Sequence, residues 1–215
     1  MKNLLYKDLK LGISPMFYVF PLLFGALMLI PGWLYLLVFM YFCFITVPNA
    51  FAASRVQNDL MFSILMPVQK RDIVQSKIIS FIILELMHIS FAAIFALLNM
   101  ILYKNFFYYF LKPNIAFFGL AFLMSGLFNG SVFPLFFKTG YKYGIPVLVS
   151  SLTIVAYATA IEVFALFNSG FGNFLKYSGL PTQISILFGG IILFVLLSLI
   201  AIKISIKNFE KVDLG

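Results

Sequence analysis

The sequence predicts an all-α membrane protein with six transmembrane helices, built as one domain over residues 1–215. Three observations carry that expectation. The composition is 63% hydrophobic and 10% charged, with a mean hydropathy of +1.06, whereas soluble domains are about 25% charged. Several apolar stretches reach about 20 residues, the length a helix needs to cross hydrocarbon. The lysines sit singly at the ends of those stretches, where charge marks membrane topology. The same distribution argues against reading the net charge of +8 as nucleic-acid binding. Cys43 is the single cysteine, so no intrachain disulfide can form.

Residues 1–14, MKNLLYKDLKLGIS, form a short amphipathic start. Leu5, Leu9 and Ile13 fall at i, i+4, i+8 while Lys7 and Lys10 project elsewhere, which suits a helix lying in the membrane interface. Lysines before an apolar run could also open a signal peptide, but no A-x-A-like site follows Leu29. A first span is expected at about 16–30. It carries Pro21 and closes on the turn pair Pro31-Gly32, with Trp33 and Tyr35 at interface depth. It is short, so tilt or extension back through Ser14 is expected. The second span covers about 34–53.

A polar-rich stretch, SRVQNDLMFSILMPVQKRDIVQSK, runs from Ser54 to Lys77. It holds six of the 22 charged residues. It also holds the apolar residues Leu60, Met61, Phe62, Ile64, Leu65 and Met66, ended by Pro67, and a merely solvated loop has no need of such a patch. The third span is expected at about 77–103 and is long enough to tilt or protrude. After the aromatic loop KNFFYYFLKP the fourth span covers about 114–137. The basic turn KTGYKYG then leads to the fifth, about 145–168. The segment SGFGNFLKYSGLPT is too apolar for a plain loop. A short helix dipping back into the membrane is expected there, where neighbouring protein must satisfy its backbone. The sixth span covers about 183–204, and a basic tail ends the chain.

Twelve Lys and Arg lie on the side that holds both ends, the Ser54–Lys77 stretch and the 138–144 turn. Three, Lys104, Lys112 and Lys176, lie on the other. That asymmetry places both ends and the polar stretch in the cytoplasm of a plasma membrane.

The sequence predicts no enzyme. There is no G-x-x-x-x-G-K-[ST] phosphate loop and no G-x-S-x-G elbow. His88 is the only histidine, which removes H-E-x-x-H zinc chemistry; no cofactor or metal is expected in this chain. Ionisable residues within the spans are functional candidates, because charge in lipid is costly. Glu85 and His88 lie three apart on one helix face, about 12 Å beyond Lys77 along the axis. They either line a substrate path or form a hydrogen-bonded pair that fixes packing. Glu162, about 27 Å from Gly144, either lines an outward vestibule or is solvated there. Asn129, flanked by Gly126 and Gly130, is a further pathway candidate, although small residues and amides also serve helix packing.

The Ser54–Lys77 stretch carries a family resemblance. Asn58, Asp59, Leu65, Met66, Pro67, Val68, Lys70, Arg71, Ile73, Val74, Ser76 and Lys77 stand in a pattern similar to that of permeases of the type-2 ATP-binding-cassette (ABC) exporters. Here Met66 replaces the leucine usual before the proline. The resemblance implies an N-terminal elbow helix (1–14), a coupling helix in the 54–76 loop and a re-entrant segment before the sixth span. It also implies a second permease copy, here a homodimer, and a separate cytoplasmic ATPase that binds ATP and Mg. Leu65, Met66, Met61 and Phe62 would enter a groove on that ATPase, in a known helix-in-groove mode. Arg55, Asn58, Asp59, Lys70, Arg71 and Asp72 would surround them, with Pro67 stopping the helix. Asp59 is either one of these rim contacts or a helix cap. The alternative is an interfacial helix lying on lipid. Small permeases of this composition are similar to bacterial exporters of amphipathic peptides such as phenol-soluble modulins, so the expected cargo is a hydrophobic or amphipathic peptide. An ion-coupled carrier using Glu85, His88 and Glu162, and a peptide-immunity membrane protein, are the competing functions.

Overall fold

A computed structural model of the chain describes residues 2–140 and 142–212; for Leu11, Leu60, Met61 and Ile64 it describes the backbone but not the side chain. Among these residues all regular structure is helical. Helix α1 (Lys2–Lys7) runs into a π-turn (Asp8–Gly12). Then come α2 (Met16–Leu29), α3 (Leu36–Val56), α4 (Asp59–Leu65), α5 (Lys70–Leu102) and α6 (Ile115–Lys138). The last three are α7 (Gly144–Phe167), α8 (Ser169–Tyr177) and α9 (Leu180–Glu210). Helices α3, α5, α6, α7 and α9 are long and apolar enough to cross a membrane, and this is a multi-pass membrane protein. Helix α2 is apolar but only 14 residues long, about 21 Å at 1.5 Å per residue.

Several boundaries differ from the sequence expectation, each for a local reason. Helix α2 does not extend back through Ser14: Ile13 is extended and Pro15 sets the helix start, because proline lacks the N–H that an earlier turn would need. The π-turn of α1 rotates its register. The buried line is therefore Leu4, Asp8, Gly12 and Ile13, with Leu5 and Leu9 half-buried. The Ser54–Lys77 stretch is mostly helix rather than loop. Helix α5 begins at Lys70, seven residues before the expected third span, and α9 carries the basic tail as helix to Glu210.

The core is a bundle in which α3 and α6 are the most enclosed. Helices α6 and α9 run parallel and pack along most of their length. The approach is closest at glycines. A Cβ on Gly190 would collide with the carbonyl of Gly119, and a Cβ on Gly119 with the backbone at Ile186–Leu187. Gly126 meets the Phe194 backbone, where an added Cβ would lie 3.0 Å from Cα. Small residues thus let two backbones touch where no water-driven force presses them together. Gly130, expected as a second packing glycine, faces open space. At the other edge Phe51 stacks on Phe136 with centroids 4.0 Å apart. Helices α6 and α8 are both capped by asparagine: Asn114 accepts from the Phe117 N–H and Asn168 from the Phe171 N–H, each at 3.0 Å.

Candidate functional site

The Ser54–Lys77 stretch folds as a short helix braced from behind. Helix α3 stops at Val56, and Asn58 takes the left-handed conformation (φ 48°), which asparagine tolerates better than most residues. The chain turns there, and α4 starts at once with Asp59. Pro67 lies just past its end, where it helps keep the chain out of helix before α5 begins at Lys70.

The braced side of α4 is polar. Asp59 accepts from Lys7 of α1 through one carboxylate oxygen and from Lys77 of α5 through the other, both at 2.7 Å. Lys7 also donates to Ser63 at 2.6 Å and pairs with Asp8 at 3.2 Å. Lys77 also reaches Ser54 at the end of α3, at 2.9 Å. Ser76 donates to the Asp8 carboxylate. Four helices therefore meet on one carboxylate and its neighbours. Side-chain exposures are 12% for Asp59, 15% for Lys7 and 7% for Lys77, so the ions are largely withdrawn from water.

Burial disfavours the charged form of Asp59, yet Lys77 and Lys7 outweigh it and hold its pKa below the ordinary 3.8. Burial likewise opposes the Lys7 ammonium, and Asp59 and Asp8 raise its pKa above 10.5. The two contributions have opposite pH limits. That of Asp59 is complete above its unfolded value and lost as pH falls through the depressed folded one. That of Lys7 is complete below its unfolded value and lost as pH rises through the raised folded one. The Tm difference between wild type and Asp59→Asn is therefore expected to stay constant from about pH 4 to pH 10 and to shrink below that range. A difference that shrinks between about pH 5 and pH 8 would contradict this assignment.

The other side of α4 is apolar and open. Phe62 is 59% and Leu65 83% exposed, three residues apart and so on one face. Val56, at the end of α3, is 83% exposed as well. Arg55, Asn58, Pro67 and Arg71 are exposed around them, and Met66 and Asp72 are half-buried. The Met61 backbone lies in α4; its side chain is outside the described residues. Lys70 donates to the Val212 carbonyl at 3.1 Å, tying the start of α5 to the C-terminal segment. Asp59 is thus an internal brace, not a free acid at the edge of the apolar patch. It is the first residue of α4, and no side-chain cap bond forms at Asn58.

The charged residues of the spans do not converge. Glu85 accepts from the Asn129 amide at 2.8 Å, and that amide lies 3.4 Å from Ser198 Oγ, so α5, α6 and α9 are joined there. His88 shares the face of Glu85 but bonds the Val38 carbonyl at 3.1 Å and stacks on Phe42. The expected Glu85–His88 bond is absent, because each finds a partner on a different neighbouring helix. Glu162 is buried, not solvated. It accepts from the Leu111 N–H at 3.4 Å and borders an apolar pocket of about 340 Å³ with Phe110 and Met40.

The sequence reading missed Lys7 as a direct partner of Asp59, Asp8, Ser54, Ser63 and Ser76 as members of the network around it, and Val56 as part of the exposed patch. The one available signal was spacing: Asp59 and Ser63 lie at i, i+4 and so share a helix face.

A family model described as ABC-2 family transporter protein matches residues 3–210. No curated protein and no solved structure matches the chain.

Proposed function

From the premise that the chain belongs to the ABC-2 transporter family, we propose that it is the membrane permease of an ATP-driven exporter and that α4 is the helix by which a separate ATPase drives it. One observation carries this reading: α4 is fixed from behind by Lys7 and Lys77 while Phe62 and Leu65 face outward. A helix with an apolar face offered and a charged surround fits a groove on a soluble partner. Because it is braced on three other helices, force applied to it is passed on rather than absorbed.

In this proposal α2 is the shortest of six spans, α1 is the elbow, α4 the coupling helix and α8 the re-entrant segment. Both ends face the cytoplasm of a bacterial plasma membrane, in keeping with the twelve-to-three split of Lys and Arg. ATP and Mg are held by the ATPase. The lipid-facing rows of α7 and α9, including Leu152, Val155, Ile192 and Leu199, all exposed, leave room for a second copy and hence a homodimer. The cargo is a hydrophobic or amphipathic peptide. An ion-coupled carrier is not favoured, since Glu85, His88 and Glu162 each engage a different partner and line no common path.

Leu65→Asp tests the docking role. Leu65 touches little of its own chain, so the variant is expected to keep its Tm. Surface changes of this kind usually cost within about 0.5 kcal/mol. Co-purification of the partner ATPase from native membranes should be lost. A Leu65→Asp protein that retains its ATPase stoichiometrically overturns the assignment.

A further inference from the structure

At the face opposite the two ends, an apolar groove of about 550 Å³ opens between three helices. Its size is that of a ligand pocket, which typically spans roughly 300–1,000 Å³. Leu97 and Met100 of α5, Phe118 and Phe122 of α6, and Leu187 and Ile191 of α9 form its walls. Each wall runs on into one lysine. Helix α5 ends at Leu102, just before Lys104. Lys112 precedes Pro113 at the groove edge. Lys176 sits four residues before Leu180, where α9 begins. These three lysines, with Tyr108 and Tyr177, line an adjoining depression of about 220 Å³.

The parts are held together. Asn114, on the groove wall, donates to the Leu175 carbonyl at 2.8 Å. Lys176 donates to the carbonyls of Tyr108 and Tyr109 at 3.0 and 2.8 Å. The Lys112 ammonium lies 6.0 Å from the Tyr108 ring centre. Neither the Lys104 nor the Lys112 ammonium makes a hydrogen bond or ion pair among the described residues. The segments that build this end, 90–125 and 157–190, hold one acid, Glu162, which is buried against the Leu111 N–H. Phe107, Tyr109 and Tyr177 are 74%, 61% and 65% exposed around the depression. Aromatic rings prefer the headgroup level of a bilayer, so the lysines stand at that depth with the apolar groove reaching inward from them.

We propose that this groove and its lysines are a binding site for one anionic phospholipid, with an acyl chain along the groove and the phosphate against Lys104 and Lys112. A polar head and an apolar tail are what the two adjoining surfaces match, and each lysine near an anionic surface adds an attraction that a zwitterionic headgroup does not repay. That the site faces the outer leaflet rests on the topology proposed above; the binding itself does not, and neither does its test.

The wild-type protein, the charge-removing variant K104Q/K112Q and the charge-keeping variant K104R/K112R are each placed in detergent with phosphatidylglycerol or phosphatidylcholine of identical chains. Lipid retained per chain is read by native mass spectrometry, and Tm is followed in parallel. Wild type and K104R/K112R are expected to retain phosphatidylglycerol about tenfold better, and K104Q/K112Q to retain the two lipids within about twofold at unchanged Tm. Ala93→Trp, which fills the groove, should lower retention of both lipids, while Leu152→Trp on the exposed side of α7 should not. Equal retention of the two lipids by wild type overturns the proposal. So does an undiminished preference in K104Q/K112Q, or displacement of the lipid by inorganic phosphate at equal concentration, which would mark a free-anion site instead.

Discussion

Gly190→Val is expected to abolish accumulation of folded protein, whereas Gly189→Ala one residue away should leave it at the wild-type level. At Gly190 the first added carbon meets the carbonyl of Gly119, a backbone atom that cannot swing aside; at Gly189 nothing lies within 4 Å. Overpacking a good core costs about 1–3 kcal/mol and occasionally more. A backbone-to-backbone collision belongs at the upper end, because α6 and α9 must separate along their shared length to relieve it. Size-exclusion of a fluorescent fusion from membranes extracted in mild detergent separates the two outcomes. Gly119→Val should behave like Gly190→Val, and the double variant should be little worse than either alone, since one separation of the helices relieves both contacts. Wild-type accumulation of Gly190→Val would show that α6 and α9 do not meet in this register.

Asp59→Asn ranks second. It leaves Lys7 and Lys77 charged, largely buried and without their common acid. Removing one partner of a buried pair costs about 3–5 kcal/mol, and the residual exposure of Lys7 and Asp59 puts the loss at the low end of that range. The Tm should fall by several degrees. Adding Lys77→Met to Asp59→Asn should then cost less than Lys77→Met costs in the wild type, because the lysine removed is already unpaired. Equal costs in the two backgrounds would mean that the pair contributes no coupling. If α4 docks an ATPase as proposed, Asp59→Asn should, unlike Leu65→Asp, retain some ATPase but couple hydrolysis poorly, since Phe62 and Leu65 stay exposed while the brace behind them is lost.

How much of this was legible beforehand follows from the physics of each feature. Long apolar runs announce themselves by composition, and α3, α5, α6, α7 and α9 lie close to where the sequence puts them. Helix ends were harder to place. Lys70–Ser76 is polar, yet it continues α5 as helix because nothing local stops it before Pro67. The apolar face of α4 could be read from Phe62 and Leu65. The partners of Asp59 could not, since they lie 52 and 18 residues away in sequence and become neighbours only when α1 folds under α5. Glu85 and His88 share a helix face, but periodicity cannot say whether two residues on one face find each other or two different neighbours. The Gly119–Gly190 contact was hidden for a similar reason: a glycine in an apolar helix does not reveal which side another backbone approaches.

Helix α5, 33 residues and about 50 Å long, carries its buried polar groups as a keyed rod. Ser76 meets α1, Lys77 meets α4, Glu85 meets α6, His88 meets α3, and Asn99 bonds the hydroxyls of Tyr35 and Tyr108. A purely apolar helix in lipid can slide past its neighbours in steps of one turn at little cost. This one cannot, because a single 5.4 Å step would unmake all five engagements at once. The movements open to it are pivots that keep every tooth in its slot. A tilt imposed at Lys77 would therefore reach Asn99 at the far face as the same tilt, without loss of register along the way.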